Sequence, residues 1–189
     1  MSLSVIIALF VSANHWVSAV ALRAMRPPMP PLEAPVLKTR GTVVYWLGPI
    51  DFDSFDALER TLHQNPRLKT LSLDSAGGRI AAARGMARLV SEAKLDTLTS
   101  GTCSSACTLV FIAGEKRRLT QEGRIGFHGY KLLSGIQTID TETEQLRDQK
   151  MFEKRGVDSL FLKRAFSVPF EEIWFPDHET LCQAGVTSC

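Results

Sequence analysis

Gly101-Thr102-Cys103-Ser104-Ser105-Ala106-Cys107-Thr108, followed at once by Leu109-Val110-Phe111-Ile112-Ala113 and Gly114, is the stretch on which the reading of this chain turns. Eight small or polar residues feed five apolar ones, the pattern of a loop running into the buried start of a helix over residues 108–113. A serine at such a junction presents a hydroxyl, and the amide of the following residue points out of the helix start without an intrahelical acceptor. A nucleophile beside an anion-binding amide is half of an acyl-transfer site.

Upstream, Leu71-Ser72-Leu73-Asp74-Ser75-Ala76-Gly77-Gly78 alternates apolar and polar residues and ends in two glycines, a strand leading to a turn that backbone or ligand can approach closely. Downstream, Gly123-Arg124-Ile125-Gly126-Phe127-His128-Gly129 is a short strand ending in a candidate general base. Between and beyond these segments the pattern alternates. Strands are expected over residues 41–50, 68–74, 95–99 and 124–128. Helices are expected over 53–63 (Phe55, Leu58 and Leu62 inward, Asp53 or Ser54 as N-cap), 79–93, 140–155 and 157–166, with short closing helices over 170–174 and 179–184. The fold class is α/β with βαβ crossovers.

These motifs, in this order, resemble those of the proteolytic subunit of the Clp protease and its relatives in the Clp/crotonase superfamily. Ser75-Ala76-Gly77-Gly78 is similar to that family's Ser-x-Gly-Gly. Gly101, Ser105 and Ala113-Gly114 match its Gly-x-x-x-Ser before an apolar helix, Lys116-Arg117-Arg118 its basic turn, and Arg124 with His128 its Arg-x-x-x-His. The similarity runs from about residue 41 to residue 186, and the Cys-x-Ser-Ala-Cys form of the serine motif resembles uncharacterised bacterial Clp-like proteins expected in the periplasm. The resemblance implies a fold of repeated β-β-α/βαβ units with a C-terminal helical handle region. It implies Ser105 as nucleophile, His128 as general base, the amides of Gly78 and Ala106 as oxyanion hole, and a homo-oligomer acting on peptides or unfolded protein without cofactor or metal. The family's third catalytic residue is an aspartate after the handle. Spacing from His128 offers Asp177 for it, but counting back from Ala184-Gly185-Val186 makes the same residue an ordinary helix N-cap. A helix-capping Ser105 and a tight turn at Gly77-Gly78 are the plain alternatives; the compressed loop Trp174-Phe175-Pro176-Asp177 and the cysteines flanking Ser105 point to the alternative of an inactive Clp-like module that only binds peptides.

Asp74 reads as structural. Lys116 and Lys131 do not match the positions of a Ser-Lys dyad, and Tyr130-Lys131 are candidates for lining a substrate groove. A crotonase-type acyl-CoA enzyme is disfavoured, because nothing in the chain is suited to an adenine nucleotide.

The 189 residues amount to one domain plus an appendage, and 44% hydrophobic content suffices for a core. A net charge of +2, with no basic stripe interleaved with aromatics, disfavours nucleic acid. Residues 1–22 are apolar, with Val5-Ile6-Ile7-Ala8-Leu9-Phe10-Val11 as core and Ala19-Val20-Ala21 as a small-x-small site. They suit a signal peptide or an uncleaved membrane anchor. Arg23 and Arg26 on the far side keep a reverse-oriented anchor, with the domain on the cytoplasmic side, as the runner-up to export into the periplasm. Residues 23–36 are a proline-rich linker, and the Clp-like domain is expected over 37–189. Four cysteines, Cys103, Cys107, Cys182 and Cys189, agree with an oxidising compartment and allow three pairings; their spacing does not suit zinc.

Overall fold

A computed structural model describes residues 35–131 and 140–189, all within the unit Glu33–Cys189. The expected leader and most of the linker lie outside the described residues. Among those described, no helix is long and apolar enough to cross a membrane.

The described part opens with a hairpin, β1 (Val36–Arg40) and β2 (Val43–Leu47), turned at Gly41 with φ +60°. In β2 the alternation is plain: Val44 and Trp46 are buried, whereas Tyr45 and Leu47 face out. α1 (Phe52–Gln64) follows, then β3 (Thr70–Asp74), α2 (Ile80–Glu92), β4 (Asp96–Thr99), β5 (Thr102–Ser104), α3 (Cys107–Ile112), β6 (Arg117–Leu119), β7 (Arg124–Gly126), α4 (Thr141–Lys154), α5 (Ser159–Ala165) and α6 (His178–Gln183). The main sheet runs β1-β2-β3-β4-β6, antiparallel at the hairpin and parallel thereafter. The expected mixed α/β class is therefore observed.

Several boundaries differ from expectation for local reasons. Residues 36–40 form a strand because they pair along their whole length with β2. The basic turn after α3 is the edge strand β6, held by its ladder to β4. The N-cap of α1 is Asp51: its carboxylate accepts from the amide of Ser54 at 2.8 Å while Ser54 Oγ accepts from the Asp51 amide, a reciprocal box that places Ser54 inside the helix. Residues 170–174 form no helix. They lead to Trp174, which exchanges two backbone hydrogen bonds with Phe127.

α1 packs on α2 and α2 on α3. α2 turns Ala82, Ala83, Met86, Ala87 and Val90 inward, the alanines letting the helices approach closely, and every residue of α3 is buried. Trp46, Leu71, Leu73, Met86 and Phe111 are nearly or fully sequestered; each such side chain contributes about 1.5–3 kcal/mol of transfer free energy. The same core continues into an aromatic cluster where Phe127 meets Phe152, Phe161 and Trp174 edge-on or tilted. It fastens the end of the β7 segment to α4 and α5.

Candidate active site

Beyond the main sheet the chain forms a second parallel ladder. Ser75 bridges to Cys103 of β5, and β5 pairs with β7 in register Cys103↔Ile125 and Ser104↔Gly126. Three parallel segments thus leave the ladder side by side in one direction. Three residues beyond the paired Ser75, Cys103 and Ile125 stand Gly78, Ala106 and His128. The sequence separates these residues widely; the ladder brings their segments together.

Ser105 follows β5 with φ +56°, in the left-handed region. For a residue with a side chain that conformation costs on the order of 1–3 kcal/mol and persists only where its surroundings over-determine it. They do so here. The Ser105 amide donates to Gly126 O at 3.0 Å, the Ser104 amide to Ser75 O at 3.0 Å, and the Ser105 carbonyl accepts from both the amide and the hydroxyl of Thr108. Cys103 and Cys107 close a disulfide around the turn. The turn's entry is held by Asp74, whose carboxylate accepts from the Thr102 amide at 3.1 Å and leaves no room for a side chain at Gly101. Asp74 is thus structural, as its place in the sequence suggests.

The Gly77-Gly78 turn lies directly against the serine. A Cβ on Gly77 would come within 2.9 Å of both the Ala106 amide nitrogen and Ser105 Cβ, and one on Gly78 would collide with the carbonyl of Ile50. Both glycines have positive φ, +99° and +151°. Ile50 binds around Gly78, donating to Gly77 O and accepting from the Arg79 amide. Among the described residues neither the Gly78 nor the Ala106 amide donates to a protein acceptor. The Gly78 and Ala106 amides are thus free donors on the segments that flank half-buried Ser105.

His128 is 9% exposed. Its Nδ1 lies 2.7 Å from the carbonyl oxygen of Gly129, and the Phe170 ring stands edge-on to the imidazole with centroids 5.0 Å apart. A carbonyl oxygen can only accept, so Nδ1 carries a proton, and in the neutral ring the lone pair then lies on Nε2. Among the described residues no hydrogen bond joins His128 to Ser105 or to a carboxylate.

Asp177 occupies the second of its two expected positions. It is the N-cap of α6, accepting from the Thr180 amide at 2.7 Å, and it is exposed. The Thr180 hydrogen bonds hold its carboxyl below the usual range. The helix claims the carboxylate because an orphan amide needs an acceptor where α6 begins. His178 next to it reaches Gly123 O at 2.8 Å, and His63 sits at the end of α1.

Tyr130 is tied to α4. Its hydroxyl donates to Asp148, a carboxylate only 2% exposed, which also takes two hydrogen bonds from Arg84 at 2.7 Å each. Burial and the adjacent Asp148 both push the Tyr130 hydroxyl's pKa up. Burial disfavours the Arg84 cation, but hydrogen bonds to Asp148 and Glu144 outweigh it and hold the guanidinium charged. Lys131 pairs with Glu171 at the surface. The sequence reading missed Gln145, whose Oε1 accepts from the Tyr130 amide at 2.8 Å. A glutamine on a charged helix carries no local signal of such a contact.

The second disulfide joins Cys182 to Cys189, so of the three pairings the chain adopts the one local within each pair. Among the described residues no cluster of metal-ligating side chains is present.

No protein-family model matches the sequence, and no curated protein matches it. The structure is similar to that of a ClpP1 point mutant from Listeria monocytogenes, with a TM-score of 0.67 at 14% identity, over 78% of this chain and 89% of that one. The chain has a Clp protease-like fold.

Proposed function

We propose that the protein is a serine peptidase in which Ser105 is the nucleophile, His128 the general base, and the Gly78 and Ala106 amides the oxyanion hole. The observation that carries this reading is Ser105 held in a left-handed turn against Gly77-Gly78, with the next amide unpaired. Ser105 Oγ attacks the scissile carbonyl carbon while His128 Nε2 takes its proton. The tetrahedral oxyanion faces the two amides. The C–N bond then breaks, the amine leaves with the proton from His128, and water hydrolyses the acyl-serine by the same route. With Asp177 committed to α6, the machinery is a dyad rather than a triad.

Peptides or unfolded protein are the proposed substrates, and export to the periplasm or a membrane tether the proposed location. The apolar leader and two disulfides support the location. A homo-oligomer packed through α4 as its handle is supported by that helix's outer stripe of Thr143, Leu146, Arg147, Lys150 and Lys154, with Leu146 48% exposed. Acidic residues (Glu142, Glu144) at one end and basic ones at the other suit antiparallel packing against a second copy.

A fluorophosphonate probe tests the activity. Labelling of the wild type that is lost in Ser105→Ala and at least about a hundredfold slower in His128→Ala is the expected result. That no carboxylate among the described residues bonds His128 favours one second reading, a peptide-binding module without turnover. Peptide binding with no labelling would establish that instead.

A further inference from the structure

The peptide group between Gly129 and Tyr130 is held at both ends. Its carbonyl oxygen accepts from His128 Nδ1 at 2.7 Å, and its N–H donates to Gln145 Oε1 at 2.8 Å. An amide is rigid and planar, so the partner of its N–H fixes where its C=O points. Gln145 projects from α4, which is anchored close by: Asp148, buried three residues further along the same helix, accepts from the hydroxyl of the same Tyr130. The approach is close enough to require glycine. A Cβ on Gly129 would sit 2.6 Å from Phe166 O and 3.3 Å from Gln145 Oε1. The Gly129 amide is pinned to Val168 O at 2.8 Å.

We propose that Gln145 is a positioning residue for His128, acting through the Gly129–Tyr130 peptide, which stands where a carboxylate would otherwise orient the imidazole. Accepting at the N–H polarises the peptide and strengthens its carbonyl as an acceptor. The carbonyl then keeps the proton on Nδ1 and the lone pair on Nε2. The catalytic meaning rests on the peptidase reading above, but the tautomer does not.

The test is the ¹⁵N spectrum of the full chain labelled with ¹⁵N-histidine, with His128 assigned by its loss in His128→Ala. The wild type should show the Nδ1–H tautomer. Gln145→Leu should shift His128 towards a mixture of tautomers, while Gln145→Glu, which restores an acceptor oxygen, should keep Nδ1–H. Probe labelling of Ser105 should slow by about tenfold to a hundredfold in Gln145→Leu, part of the 10²–10⁴ that general-base assistance supplies, and recover in Gln145→Glu. If Gln145→Leu fails to fold, Gln145→Met, similar in shape and lacking the oxygen, gives the same reading. An unchanged Nδ1–H tautomer in the folded variant overturns the proposal. A shifted tautomer in a chain that never labels upholds the positioning and overturns the peptidase reading alone.

Discussion

Cys103 and Cys107 are joined by a disulfide across Ser105, the residue between them that adopts φ +56°. Both cysteines are fully buried. The bond therefore shapes a turn that the backbone alone disfavours.

Removing this clasp should loosen the nucleophile. Cys103→Ala/Cys107→Ala should lose about 2 kcal/mol of stability, the entropy of so short a loop, and lower Tm by about 4–8 °C. Probe labelling of Ser105 should slow by tenfold or more, since about 1 Å of displacement costs on the order of 10²-fold. Cys182→Ala/Cys189→Ala is the control: Tm falls and labelling does not. Equal labelling in the two double variants would show that the clasp has no bearing on the serine.

Asp177→Asn should leave labelling within about twofold of wild type, because the carboxylate serves Thr180 and asparagine caps almost as well as aspartate. The effect should appear in acid stability. A carboxyl depressed in the folded state contributes stability that is present above its unfolded pKa, near 4, and is lost as pH falls through the folded value. The variant should have a shallower decline of Tm below pH 4. A large loss of labelling, by contrast, would make Asp177 the orienter of His128.

Two glycines with positive φ separate strain from collision. Gly156 has φ +85° and open space around it, so Gly156→Ala should cost only about 1–2 kcal/mol for the conformation and leave labelling intact. Gly77→Ala adds a methyl group 2.9 Å from the Ala106 nitrogen, so it should cost more and also abolish labelling. Denaturant unfolding and probe kinetics on both variants measure the two effects. Labelling that survives Gly77→Ala would move the anion site elsewhere.

The Arg84–Asp148–Tyr130 network ties α2 and α4 to the segment after His128. Asp148→Ala should destabilise by about 2–3 kcal/mol, because Arg84 loses two charge-assisted hydrogen bonds and keeps only those to Glu144. Tyr130→Phe removes one hydrogen bond and should cost about 1–2 kcal/mol. Urea midpoints for the pair check the ordering; similar small losses would mean that water replaces the carboxylate.

Local chemistry was legible in the sequence wherever a property is encoded within a few residues. The alternation of β2 and β3, the apolar faces of α1 and α2, the small-to-apolar switch at Ser105 and the double glycine before α2 all have a period or a special residue that declares them. The order Gly77-Gly78, Ser105, His128 was readable for the same reason. Tertiary structure decided whatever depends on partners far along the chain. β5 and β6 are too short to carry a period and exist by pairing with β7 and β4. Residues 169–172 close a turn and Trp174 bridges to Phe127, so no helix forms there. The cysteines could have paired three ways, and distance in the fold chose. Asp177 had two sequence-compatible positions, and the unsatisfied amide at the start of α6 took it. Gln145, 17 residues beyond His128 and on another element, reaches the Gly129–Tyr130 peptide only once α4 is docked. A hydrogen bond between distant segments leaves no periodicity in the chain, so only the fold reveals it.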